Sequence, residues 1–104
     1  MDWKTANLFG ATDISRICGV YEIGSMKVPG TKFKIKVLER GRGDFLAVPN
    51  VCLKASDGSE DWIAGLGKTE LEALEDALKW FMGALQQREH VVPEDFEWSD
   101  PNDF

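Results

Sequence analysis

The chain has 104 residues, of which 43% are hydrophobic and four are tryptophan, a composition that indicates one small folded domain and excludes an intrinsically disordered chain. The formal net charge is −6, which argues against non-specific nucleic-acid binding by the whole molecule. Cys18 and Cys52 lack the CxxC spacing of a zinc site, so we expect two reduced thiols, no metal and no cofactor.

The first elements are a short helix and a strand. Trp3, Ala6 and Phe9 recur at helical spacing and predict a short helix that ends at Gly10. The stretch 14–23 fits either a helix or a strand. Its β-forming residues favour a strand from about Ile17.

The clearest strand runs from Thr31 to Arg40. Apolar side chains alternate in it with lysines, which predicts one buried face and one face in water. The lysines are Lys32, Lys34 and Lys36.

Two further strands are predicted before the helix. Asp44 to Ala55 forms the first, in which Pro49 marks a bulge or a sheet edge because proline cannot donate to the ladder. Asp57-Gly58 is a hairpin turn signal, and Glu60 to Leu66 forms the second strand. Gly65 and Gly67 then bend the chain into the helix.

The only long helix is predicted from Thr69 to Gln87. Thr69 and Glu72 have the spacing of a capping box, in which each side chain satisfies a free N–H group at the helix start. The residues predicted to form the core stripe are Leu71, Leu74, Leu78, Phe81 and Leu85. Trp80 lies at the edge of this stripe, where a partner can contact it.

The order of these elements predicts an α+β fold, a two-layer sandwich in which an antiparallel meander of three or four strands is followed by one long helix. We assign residues 1–87 to this single domain and residues 88–104 to an acidic, aromatic tail. The tail contains one basic and six acidic residues. It also contains Phe96 and Trp98, which are costly to leave in water and typical of interface anchors. We therefore hypothesise that the tail folds back onto the body.

Catalytic motifs are weak. Residues 65–69 read Gly-Leu-Gly-Lys-Thr, but the leading glycine of a phosphate-binding P-loop is replaced by Trp62. His90 is the single histidine, and the sequence places no serine or cysteine beside it. No apolar run approaches the length of a membrane span. We expect a cytoplasmic protein that is not an enzyme and does not enter a membrane.

Two stretches resemble the HicB-type antitoxin fold, and together they cover roughly residues 31–85. Residues 67–78, Gly-Lys-Thr-Glu-Leu-Glu-Ala-Leu-Glu-Asp-Ala-Leu, are similar to the stretch that opens the family's helix. Residues 44–51, Asp-Phe-Leu-Ala-Val-Pro-Asn-Val, are similar to the strand that precedes it. Double-stranded-RNA-binding domains share a related layout. The resemblance implies a non-enzymatic domain that binds a small basic ribonuclease toxin, often with an appended DNA-binding segment. No helix-turn-helix or basic arm follows the helix here.

The sequence thus leads us to expect a small HicB-like binding module that engages a protein partner, with a basic toxin-like protein as the candidate. The alternative is an RNA-binding module that uses the lysine row. The candidate partner-binding residues are Lys32, Lys34, Lys36, Trp80, Phe96 and Trp98.

Overall fold

The computed structural model describes all 104 residues. The strands are β1 (Ser15–Gly24), β2 (Lys32–Arg40), β3 (Phe45–Pro49), β4 (Val51–Lys54), β5 (Glu60–Asp61), β6 (Gly65–Gly67) and β7 (Phe96–Trp98). The helix is α1 (Glu70–Gln86). The predicted α+β class is confirmed.

The main sheet has four antiparallel strands in the order β1-β2-β3-β6. Its inner face, covered by α1, carries the buried side chains Phe33, Ile35 and Val37 of β2. Lys32 and Lys34 point to the outer face, so the predicted alternation is confirmed.

Two strands of the main sheet continue into a second sheet, with the order β5-β4-β7. The single predicted strands 44–55 and 60–66 are therefore wrong, because each is divided into two strands that belong to different sheets. The first break is at Asn50. Its N–H donates to the Lys34 carbonyl at 2.9 Å, and its Oδ1 accepts from the Lys34 N–H at 2.8 Å. The Asn50 side chain thus takes the place of the next backbone group in the ladder.

The amino-terminal region is a strand without a preceding helix. β1 begins at Ser15, which settles the ambiguity of residues 14–23 in favour of a strand. The helix predicted up to Gly10 is wrong, since only a 3-10 turn, Trp3–Thr5, forms there. Ala6 and Phe9 are exposed and only Trp3 is partly buried, so the three residues form no common packed face.

Helix α1 begins as predicted, and four of the five residues of the predicted core stripe, Leu74, Leu78, Phe81 and Leu85, are buried or pack against the core. Thr69 Oγ1 accepts from the Glu72 N–H at 3.1 Å, whereas the Glu72 carboxylate accepts from the Lys68 N–H at 2.9 Å and not from that of Thr69. The fully buried residues are Ala73, Ala77, Phe81 and Leu85. Leu71 was expected in the core, but it is 63% exposed.

Ala73 and Ala77 are buried because α1 and β6 approach each other closely. A Cβ atom added to Gly67 would lie 2.6 Å from the backbone nitrogen of Ala73, and one added to Gly65 would lie 2.8 Å from Cα of Ala77. Both distances are shorter than atoms can approach. The sequence suggested that the two glycines bend the chain, but they lie within strand β6. Because they have no side chains, the small alanines of α1 can pack directly on the backbone of this strand.

The tail packs against the body in this structure. β7 pairs antiparallel with β4, and Phe96 is only 5% exposed within the main core. Glu97 forms an ion pair with Lys54 at 3.6 Å. The hypothesis that the tail folds back agrees with this arrangement, while the domain division at residue 87 stays a prediction.

The hairpin between β2 and β3 is closed by charged groups. Asp44 accepts from Arg40 Nε at 2.8 Å and pairs with Arg42 Nε at 3.2 Å. These guanidinium groups hold the pKa of the Asp44 carboxyl well below its usual range. Lys4 and Arg16 lower the pKa of Glu39 in the same way, through ion pairs of 2.6 and 3.0 Å.

Substitution of two glycines by alanine should have opposite effects on stability. Gly65→Ala should destabilise by about 1–3 kcal/mol or more, because the new methyl group overlaps helix backbone that cannot move aside. Gly83→Ala should stabilise by about 0.5–1 kcal/mol, since a Cβ there meets nothing within 4 Å and alanine favours helix. Urea unfolding of both variants measures this, and equal effects would show that α1 does not rest on β6 as described.

Acid should weaken the fold through Asp44. A carboxyl whose pKa is lowered in the folded state stabilises above its unfolded pKa of about 3.9, and this contribution is lost as the pH falls. Asp44→Asn should therefore melt at a lower temperature than the unchanged chain at pH 7, and the difference between the two melting temperatures should begin to shrink below about pH 4 and keep shrinking as the pH falls further. Asp13→Asn is the control, because the exposed Asp13 has no ion pair. A constant difference between the Asp44 curves at all pH values would contradict the argument.

Candidate functional site

A groove of about 570 Å³ lies between the second half of α1 and the segment from Asp61 to Ala64. Trp80, Gly83 and Ala84 form the helix wall, and Ile63 lies on the opposite side. Gly83 leaves this wall open, because nothing stands within 4 Å of the position its Cβ would take. We call this region the Trp80 groove.

The Trp80 indole is exposed but fixed in orientation. Its Nε1–H donates to Asp76 Oδ1 at 3.2 Å, and the other oxygen of Asp76 accepts from the Leu66 N–H at 3.0 Å. Asp76 thus connects the indole, the helix and β6. Since 55% of Trp80 remains exposed, a large aromatic surface is held ready at the groove.

The charges around the indole are mixed, with more negative than positive groups. Asp61 lines the groove and Asp76 holds the indole, whereas Lys79 contributes one positive charge with its Nζ 5.4 Å from the ring centroid. The aromatic ring and the carboxylates both attract cations. The groove can therefore receive a positively charged side chain flanked by apolar atoms.

The lysine row is not a free basic surface. Lys32 forms an ion pair with Glu22 at 3.4 Å. Lys36 Nζ donates to the Asp103 carbonyl at 2.5 Å and lies 4.7 Å from the centroid of the Phe104 ring. Neither Lys34 nor Lys36 forms an ion pair, and Lys34 also lacks the hydrogen bond and ring contact that Lys36 makes.

The aromatic candidates of the tail have different surroundings. Trp98 is partly exposed and lines a hollow of about 300 Å³ together with Lys34. Phe96 is buried in the core, so a partner can reach it only by displacing β7. The structure therefore brings Lys34, Lys36 and the Trp98 region together through the tail, and it places Trp80 in a separate groove.

Sequence reasoning identified Trp80 but missed the rest of its groove. Gly83 and Ala84 follow Trp80 by three and four positions, and this helical spacing could have revealed that they share its face. Asp61 and Ile63 carried no such signal. Their position depends on the break between β5 and β6, which the sequence pattern does not indicate.

The other candidate sites are occupied by structural contacts or stand alone. The N–H groups of Lys68 and Glu72, at the Gly-Lys-Thr stretch, already donate to the capping side chains. His90 is exposed at the start of the tail. Cys18 in β1 and Cys52 in β4 are free thiols, and burial raises the pKa of Cys52. No group of three or more His, Cys, Asp and Glu side chains converges as a set of metal ligands.

None of the helices combines the length and the hydrophobicity that crossing a bilayer requires. No protein-family model, no curated protein and no solved structure matches the chain significantly.

Proposed function

We propose that this chain is a small non-enzymatic binding module, similar to the HicB-type antitoxin domain, that engages a basic protein partner through the Trp80 groove. One observation carries the proposal. Trp80, a large aromatic side chain, is 55% exposed and is held in one orientation by Asp76. An exposed tryptophan with a fixed orientation is typical of an interface anchor, because little conformational entropy is lost when a partner covers it.

Charge supports a basic partner. The chain has a formal net charge of −6, and carboxylates both line the groove and hold its indole. An acidic surface accelerates the encounter with a basic protein and disfavours acidic competitors. An arginine or lysine of the partner would lie over the Trp80 ring, with its alkyl stem against Ile63 and Ala84.

A set of synthetic peptides tests this proposal. The peptides place one lysine or arginine beside apolar residues, and matched peptides replace the cation with glutamine. Binding to the unchanged chain is followed by the NMR signal of the Trp80 indole N–H, and the affinities of all variants are measured by isothermal titration calorimetry. We expect the cationic peptides to shift this signal, and Trp80→Ala to weaken their binding about tenfold or more.

Trp98→Ala is the matched control, because it removes a partly exposed tryptophan outside the groove. It should leave the affinity of the cationic peptides unchanged. Equal losses in both variants, or equal binding of the glutamine peptides, would contradict a cation-selective Trp80 groove. Co-purification with a basic protein encoded by a neighbouring reading frame would extend the proposal to a toxin-like partner.

RNA binding on the outer face is the second candidate. β2 carries no aromatic residue on its lysine face, but Trp98 lies beside Lys34 and Phe104 lies beside Lys36. A base can stack on such a ring while the lysine contacts a phosphate. Asp100 and Asp103 lie in the same region and oppose this role.

RNA homopolymers separate the two candidates. If the outer face binds RNA, the affinity should fall steeply with salt, and Lys34→Ala with Trp98→Ala should abolish it. Lys68→Ala, at the opposite end of the sheet from Trp98, is the charge-matched control. Absence of salt-dependent binding to any homopolymer would remove this alternative.

A further inference from the structure

The outermost strand of the main sheet is long and unprotected. β1 has ten residues, and only its β2 side is hydrogen bonded within the chain. Proteins usually protect such an edge with lysines, prolines or bulges, because its free N–H and C=O groups can pair with another strand. β1 has no lysine or proline, and its single irregularity lies between Ile17 and Gly19. Residues 19–24 therefore form a regular free edge.

The contacts of Lys34 show which backbone groups point to this edge. Both the N–H and the C=O of Lys34 bond to Asn50, so they point away from β1. Residues that face each other in an antiparallel pair either exchange both hydrogen bonds or none. Glu22, the partner of Lys34 in the register, therefore directs its backbone groups outward, and so do Val20 and Gly24 at two-residue spacing.

Apolar side chains border the free edge on both faces of the sheet. Ile17 and Val20 are exposed on the outer face. On the inner face, Tyr21 donates its hydroxyl to Glu70, and a hollow of about 300 Å³ separates this pair from Leu71 and Leu74. An added strand would thus gain backbone hydrogen bonds and would cover apolar surface above and below it.

We propose that the strand added at this edge is β1 of a second copy of the chain, paired antiparallel about a two-fold axis at Tyr21. Symmetric registers centred on residues 20, 21 and 22 let the outward groups of Val20 exchange hydrogen bonds within β1 of the second copy, whereas one centred on residue 23 would carry Val20 past the end of that strand. One places Glu22 opposite Glu22 and opposes like charges. Another places Tyr21 of the partner subunit over Gly19, where this chain's own Tyr21 ring lies 3.5 Å from the Cβ position.

The remaining register opposes no like charges and causes no such overlap. It places Val20 opposite Glu22 of the partner subunit and Tyr21 opposite Tyr21 of the partner subunit. On the outer face, four neighbouring strands of the two copies then place these side chains in one row: Lys36, Val20, Glu22 of the partner subunit and Lys34 of the partner subunit. The carboxylate faces the apolar Val20 across the contact and keeps Lys34 of its own subunit on its other side. A second copy therefore supplies hydrogen bonds to the free backbone groups of β1, covers the apolar side chains beside them and opposes no like charges. The two-fold axis repeats each of these contacts.

Two substitutions of one residue test the register. Sedimentation equilibrium of the full chain should show a concentration-dependent dimer. Val20→Glu opposes Glu22 of the partner subunit twice in the symmetric contact and should weaken dimerisation about tenfold. Within its own chain the new carboxylate faces Lys36, so the monomer should stay folded. Val20→Lys should retain the dimer, because the new cation faces Glu22 of the partner subunit.

A cross-linking measurement is independent of these variants. In a Cys18→Ser background, Tyr21→Cys places two thiols directly opposite each other, at a separation that a disulfide can span. Mild oxidation should give a covalent dimer. Ile23→Cys, which faces Gly19 of the partner subunit, should cross-link far more slowly. A monomer at every concentration, equal weakening by both Val20 variants, or faster cross-linking through residue 23 would overturn the proposal.

Discussion

The close contact between α1 and β6 determines the shape of the whole molecule. Ala73 and Ala77 rest on Gly65 and Gly67 with no room for a methyl group on either glycine. Only side chains of this size permit such an approach, so the glycines in the strand and the alanines in the helix depend on each other. The larger residues Phe81 and Leu85 then fill the space further along the helix, where Phe81 packs on Phe33 with ring centroids 4.8 Å apart.

The same contact leaves parts of the helix uncovered. When the alanine stripe faces the sheet, Leu71 and Trp80 are turned to the two sides of α1 and remain exposed. A helix is about 10 Å wide and four strands span roughly 19 Å, so a single helix cannot cover the inner face. The uncovered strand is β1, which is also the edge of the sheet. Exposure of Leu71 beside β1 thus follows from the packing of small residues on the opposite side of the helix.

The sequence predicted the elements better than their contacts. The alternation in β2, the start of α1 at Thr69 and the α+β class depend on local patterns, and all three are found in the structure. Leu71 was wrongly placed in the core because hydrophobicity ranks leucine above alanine, whereas contact with the glycines of β6 selects the smaller residue. The two glycines are visible in the sequence, but no local pattern reveals that the helix packs against them.

The second sheet was missed for a related reason. The division of residues 44–55 depends on Asn50, whose side chain bonds to the backbone of Lys34 sixteen positions away. Its carbonyl also accepts from the Ser99 N–H at 2.9 Å, so the same residue fixes the tail. A turn residue was visible in the sequence, but its distant partners were not. For the candidate site this means that Trp80 could be predicted, while Asp61 and Ile63 on the opposite wall could not.

The two exposed positions on α1 have a geometric relation that links the two proposals. Leu71 and Trp80 are nine residues apart, and at about 100° per residue they lie on opposite sides of the helix. A strand added at β1 therefore leaves the Trp80 groove open, and a dimer would present two such grooves on its outer flanks. Two linked grooves bind a partner that carries two basic sites more tightly than either groove alone, if the spacing of those sites matches. Self-association and partner binding would then reinforce each other, although the two surfaces share no residue.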